Sequence, residues 1–229
     1  QNIIFTGNFK MDNLKIVGEY AFEQSYFSGS LSLPVCTQIG AYAFANSNFS
    51  GELSLPLCEQ IGDSAFANSN FSGALNLPVC EQIGSYAFAS SQFTGEFKCP
   101  NLSSVGFQTF INSQFTGEFK CPNLTSVGVY AFISSQFTGE FNCPNLTSIG
   151  DYAFYNSNFG GELSLPVCEQ IGAYAFASSQ FTKITIGANA VLGNYCIGAH
   201  SAKFIEDYAA NGKLAGTYVW DGSHWIYQN

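Results

Sequence analysis

The stretch FSGELSLPLCEQIGDSAFANSN, from Phe49 to Asn70, decides the fold. Within it Leu53 and Leu55 alternate with Glu52 and Ser54, the period-two pattern of a strand with one buried face. Pro56 stops that strand, because it has no N–H to pass to a neighbour. Ile61 supplies the next inward side chain, and Gly62 permits a turn or a close backbone approach. Ala65 and Phe66 place a small and a large side chain inside. Asn68, Ser69 and Asn70 then turn the chain back, as short polar residues do. No part of the stretch is long enough for an amphipathic helix. Short strands joined by turns, and by single helical or 3₁₀ turns, are expected.

Working outward, the same unit recurs in both directions. Phenylalanine stands at Phe5, Phe27, Phe49, Phe71, Phe93, Phe115, Phe137, Phe159 and Phe181, each 22 residues after the last. A second phenylalanine keeps the period from Phe22 to Phe176, and a glycine keeps it from Gly18 to Gly172. So short a unit cannot bury its own apolar face and must stack on copies of itself. A solenoid of about nine coils follows, about 43 Å long at one strand spacing per coil. Equivalent residues are expected to sit directly above one another in ladders.

Composition narrows the function. Hydrophobic residues make up 46% of the 229 residues and charged residues 10%, which argues for a packed chain. The net charge is −9, and all seven basic residues are lysines. Nucleic acid is excluded as a partner, because no cation cluster is present to displace phosphate counterions. An anionic membrane surface or acidic substrate would be repelled. No apolar run approaches the roughly 20 residues of a membrane helix. The first methionine is Met11, so the chain reads as processed or trimmed and its address tag as removed.

The segment from Phe137 to Ser157, FTGEFNCPNLTSIGDYAFYNS, resembles the BspA-like leucine-rich repeats of bacterial cell-surface proteins. The specific part is the core P-x-L-T-S-I-G-x-Y-A-F, which recurs with variation from about Asn2 to Ile197. The resemblance implies a curved, β-rich leucine-rich-repeat solenoid displayed at the cell surface or secreted. It also implies adhesion to host or neighbouring-cell macromolecules without enzymatic activity. On this reading residues 1–198 form the solenoid, and 199–229 form a C-terminal capping module of a short helix and a β-hairpin. Ser201 is expected to cap the helix, Gly212 to stop it, and Asp221-Gly222 to turn the hairpin.

The eight cysteines read as core filler and not as staples. Cys36, Cys58, Cys80 and Cys168 follow the proline by two residues, whereas Cys99, Cys121 and Cys143 precede it by one. Leucine takes whichever slot cysteine leaves, an exchange that keeps volume constant. No C-x-x-C spacing exists, and His200 and His224 lie in the tail, so no metal or other cofactor is expected. No nucleophile elbow, phosphate loop or dinucleotide fingerprint is present, and no catalytic residue is assigned.

One outward strand position does carry a chemical pattern. Glu96, Glu118, Glu140 and Glu162 occupy it in consecutive coils, as Glu52 does earlier. Lys98 and Lys120, two residues further along their strands, should face the same way and offset the repulsion. These side chains mark a candidate binding strip for an extracellular or host protein, or for a glycan. The plain reading of the same residues is a solvated face. A tyrosine column from Tyr20 to Tyr174 offers a second surface, read either as boundary packing or as a platform for sugar rings. The alternative to adhesion is a structural spacer or a module that pairs with itself as a homodimer.

Overall fold

The structure, a computed structural model, describes residues 7–228. Each coil contributes two strands, one of two residues and one of three to eight, except that in the first described coil both have two. The long-strand series is β1 (Phe9–Lys10), β3 (Ser28–Ser32), β5 (Asn48–Ser54), β7 (Ser72–Asn76) and β9 (Gln92–Lys98), followed by β11 (Thr116–Glu118), β13 (Gln136–Asn142), β15 (Asn158–Leu165) and β17 (Gln180–Ile186). Between them fall nine two-residue strands, from β2 (Ile16–Val17) to β18 (Val191–Leu192). The short strands form one unbroken nine-stranded parallel sheet. Within it Val17 lies opposite Ile39, and Val105 opposite Val127, so the period of the sequence is the period of the stack.

The long strands behave differently. They form three separate hydrogen-bonded groups, β1-β3-β5, β7-β9 and a group that begins β11-β13-β15-β17. Their register also shifts: Gly29 pairs with Phe49, but Leu31 pairs with Leu53. The expectation that each residue sits directly on its copy therefore fails at the start of these strands. The cause is a glycine bulge, with Gly29, Gly73, Gly117, Gly139 and Gly161 all at φ between 72° and 84°.

From Phe27 and Phe44 onward the two phenylalanine columns are buried and stacked along the axis, whereas Phe22 is half-buried and Phe5 lies outside the described residues. Phe44 and Phe66 lie 5.3 Å apart between centroids, nearly parallel, while Phe66 meets Phe71 of the other column edge-on at 5.6 Å. The leucine–cysteine exchange is present as expected. Leu55 and Leu77 share a column with Cys99 and Cys121, and all four are fully buried. All eight cysteines are free and buried. The volume is not constant, however. Where cysteine replaces leucine, Phe97, Phe119 and Phe141 also replace Leu31, Leu53 and Leu75, so the middle coils hold a third aromatic column.

No helical or 3₁₀ turn closes the coils among the described residues. Tyr42 at φ 55° and Asn46 at φ 58° sit in the left-handed region and reverse the chain twice within one corner. A run of right-handed angles is thereby prevented. The corner is still fully bonded: Tyr42, Phe44 and Asn46 donate N–H groups to Asp63, Ala65 and Ala67 of the next coil at 2.7–2.9 Å. Ser69, expected in a polar turn, is instead fully buried, and the carbonyl of Ser69 accepts the Ser91 hydroxyl at 3.0 Å. A column of buried serines is tolerated because each hydroxyl has a carbonyl partner.

After the last coil come α1 (Ser201–Ala210) and a hairpin, β19 (Gly216–Trp220) and β20 (Trp225–Gln228). β19 pairs antiparallel with β17, Ile184 opposite Tyr218. The Tyr208 hydroxyl donates to the Gly187 carbonyl at 2.6 Å and accepts the Ala190 N–H at 3.0 Å, which fastens α1 to the last coil. Ser201 is not the helix cap: His200 holds that position, and the buried Ser201 hydroxyl accepts the Ile197 N–H at 2.7 Å. Gly212, at φ 69°, does follow the helix end.

Candidate functional site

The outward positions of the long strands carry the charged residues singled out above. Phe97 and Phe119 point inward on either side of the pleat, so Glu96, Lys98, Glu118 and Lys120 point out and are exposed. Glu140 is exposed as well, and Glu162 is half-buried. The face is thus common to all six residues, but the surroundings are not.

Between β9 and β11 the ladder of long strands is interrupted. A groove of about 560 Å³ opens there, lined by Glu96, Lys98, Glu118 and Lys120 together with Asn76, Pro78, Phe97, Cys99, Pro100 and Gly117. Four of the six sequence-derived residues therefore meet at one groove. Glu140 and Glu162 lie outside it. Glu162 is paired with Lys183 at 2.9 Å and accepts from the Thr185 hydroxyl at 3.4 Å. Glu140 has no ion-pair partner among the described residues.

The charges at the groove are locally balanced. Lys98 folds back on Glu96, and Lys120 on Glu118 at 2.5 Å, each within its own coil. The hydrogen bond and charge of Lys98 hold the Glu96 carboxyl below its usual range, with Lys120 of the next coil adding to the effect. Glu118, and more distantly Glu96, hold the Lys120 ammonium above its usual range. Glutamate and lysine thus alternate around the rim in a chain whose overall charge is strongly negative. Pro78 and Pro100 supply apolar surface between the charges.

The prolines had been visible in the sequence only as strand stops. Their place beside the glutamate column was readable, since Pro100 follows Glu96 by four residues, but the gap that exposes them was not. A second groove of about 340 Å³ runs between β5 and β7, where the long-strand ladder is also interrupted, and includes Glu52, Pro56 and Pro78.

The tyrosine column is a poorer platform than its spacing suggests. Tyr130, Tyr152, Tyr174 and Tyr195 stack face to face with centroids 5.0–5.2 Å apart. Their faces are occupied by one another, so the column presents mainly ring edges and hydroxyls. At the C-terminal end His200 stacks on Trp220 at 4.1 Å. Nearby, burial pushes the Asp207 carboxyl up, but the Trp225 N–H at 2.7 Å, Lys203 and His224 together bring it below its ordinary value.

No group of three or more metal-ligating side chains suited to an ion occurs among the described residues. No helix among them is long and apolar enough to cross a membrane. A family model described as BspA type leucine rich repeat region matches residues 4–94 and 81–203, in six copies. Comparison with curated proteins finds no match.

Proposed function

The chain belongs to the BspA-type leucine-rich-repeat family, and we propose that it is a non-enzymatic adhesion module of a cell-surface or secreted protein. It engages an extended segment of an extracellular protein through the groove between β9 and β11. The observation that carries this reading is the groove itself, where an apolar strip of Pro78 and Pro100 is bordered by the Glu96–Lys98 and Glu118–Lys120 pairs. Apolar contact supplies affinity and the alternating rim supplies register, the usual division of labour at a protein interface. A repeat array adds reach, since neighbouring coils extend the same face.

The test is binding of the purified chain to immobilised extracellular-matrix proteins, measured by interferometry. The double reversal Glu118→Lys with Lys120→Glu keeps the net charge but inverts the order along the strand. We expect it to weaken binding at least tenfold and to leave the melting temperature unchanged. Unaltered binding would reject this groove. Absence of any ligand, with concentration-dependent dimerisation in sedimentation, would replace adhesion by self-association.

A further inference from the structure

A second surface lies toward the starts of the long strands, and its chemistry is unlike that of the groove. Two troughs, of about 600 and 400 Å³, share Gln114 and Ser134 and so run on from one to the other. One wall is an amide column, Asn70, Gln92, Gln114, Gln136 and Asn158. The other wall is Ser90, Asn112, Ser134 and Asn156, held at φ between 69° and 76°. Thr94 and Thr138 add hydroxyls. Neither trough is lined by any charged residue.

These polar groups are also unspent. Two other polar columns on the solenoid are consumed in bonds between coils, and the Gln38, Gln60 and Gln82 side chains of the short strands, also unbonded among the described residues, line a trough that carries Glu19 and Asp63 as well. Asn101, Asn123 and Asn145 each donate to a proline carbonyl of the preceding coil, and Thr125 and Thr147 to carbonyls at 2.8–2.9 Å. The side chains of Gln92, Gln114 and Gln136 make no hydrogen bond among the described residues, and neither do those of Ser90 and Ser134. Each carboxamide therefore presents two donors and one acceptor carbonyl to the trough.

We propose that this trough binds a neutral oligosaccharide lying along the solenoid axis. Sugar hydroxyls donate and accept at once, as the amide and hydroxyl walls do. One amide and one facing polar residue recur per coil, about 4.8 Å apart, a spacing close to the length of one sugar residue in an extended chain. The alternatives fit worse. A peptide needs accessible apolar anchors, and Phe93, the apolar residue lining the first trough, is fully buried. An anionic glycan or phosphate needs cations, and a metal needs carboxylates; neither lines the trough. The proposal is independent of the charged groove, which lies at the other end of the strands.

Saturation-transfer NMR and calorimetry with a panel of neutral oligosaccharides (gluco-, manno- and galacto-configured, four to six residues long) test it. Their sulfated counterparts serve as a second arm. At least one neutral chain should bind, with affinity rising with length. The double variant Gln92→Ala with Gln114→Ala should weaken that binding at least tenfold, while Glu118→Lys with Lys120→Glu leaves it unchanged. Both variants alter exposed residues, and circular dichroism is the check that they fold. No binding to any neutral chain, binding of the sulfated chains alone, or indifference to the double glutamine variant overturns the proposal. Loss through the groove variant would overturn its independence.

Discussion

Two neighbouring coils contain the same ten residues and use them differently. FTGEFKCPNL runs from Phe93 to Leu102 and again from Phe115 to Leu124. In the first copy the chain forms a seven-residue strand, β9, paired with β7 up to Lys98. In the second copy only Thr116–Glu118 is strand, and Phe119 and Lys120 leave the ladder. The glycines differ as well. A Cβ on Gly95 would lie 2.9 Å from the Ala74 nitrogen, whereas Gly117 has open space but sits at φ 82°. Residue identity settled which side chains point in. The neighbouring backbone settled which N–H and C=O groups find partners. The groove exists because these two outcomes diverge between adjacent coils.

The comparison is sharpest in the core beneath it. Phe97 and Phe119 are both buried, 2% and 3% exposed. Phe97→Ala should cost about 3–5 kcal/mol in urea unfolding, because its strand is held by the ladder and the cavity cannot collapse. Phe119→Ala should cost less, since its unpaired segment can relax inward. Equal costs would mean that the break in pairing has no mechanical consequence.

The glycines allow a test of smaller size. Gly117→Ala should lose about 1–2 kcal/mol from the left-handed backbone alone, and Gly117→Asn less, because asparagine tolerates that region. Gly95 should reverse the order: Gly95→Ala forces the strands apart, and Gly95→Asn does so more. A common ranking at both positions would show that the two glycines have one role.

The smallest effect concerns the thiols next in sequence. Burial pushes both Cys99 and Cys121 well above the ordinary thiol range, with neighbouring cysteines adding to the shift. Burial likewise pushes Cys80 and Cys143 up to about 12. The native chain should therefore resist maleimide at pH 8, and all eight thiols should react only after denaturation. Since a raised pKa means that the folded chain keeps protons the unfolded chain releases, stability should be full below about pH 9 and fall above it. If the unpaired segment opened locally, Cys121 would label faster than Cys99; equal rates would show that the break stops at the surface.

Much of the molecule was legible in the chain. The repeat spacing of Phe49 and Phe66 named the core columns, and the alternation around Leu53 named the buried face. The mutual exclusion of leucine and cysteine around the proline identified the thiols as packing, and Asp221-Gly222 located the hairpin. Four of the six candidate binding residues were brought together at one groove. Other features were not legible, because each depends on what the next coil presents. Ser69 reads as a turn residue until a neighbouring serine lies above it. Ser201 reads as a cap until the Ile197 N–H takes its hydroxyl. Tyr42 carries no sign of its left-handed backbone.

The sequence by itself determined the period, the inward set of side chains and the stacking of one coil on another, because burial of apolar surface is local to each unit and repeats with it. Only the tertiary structure decided where the long strands pair and where they part. Backbone hydrogen bonds are the same groups in every residue, so their pairing follows from geometry between coils and leaves no mark in the letters.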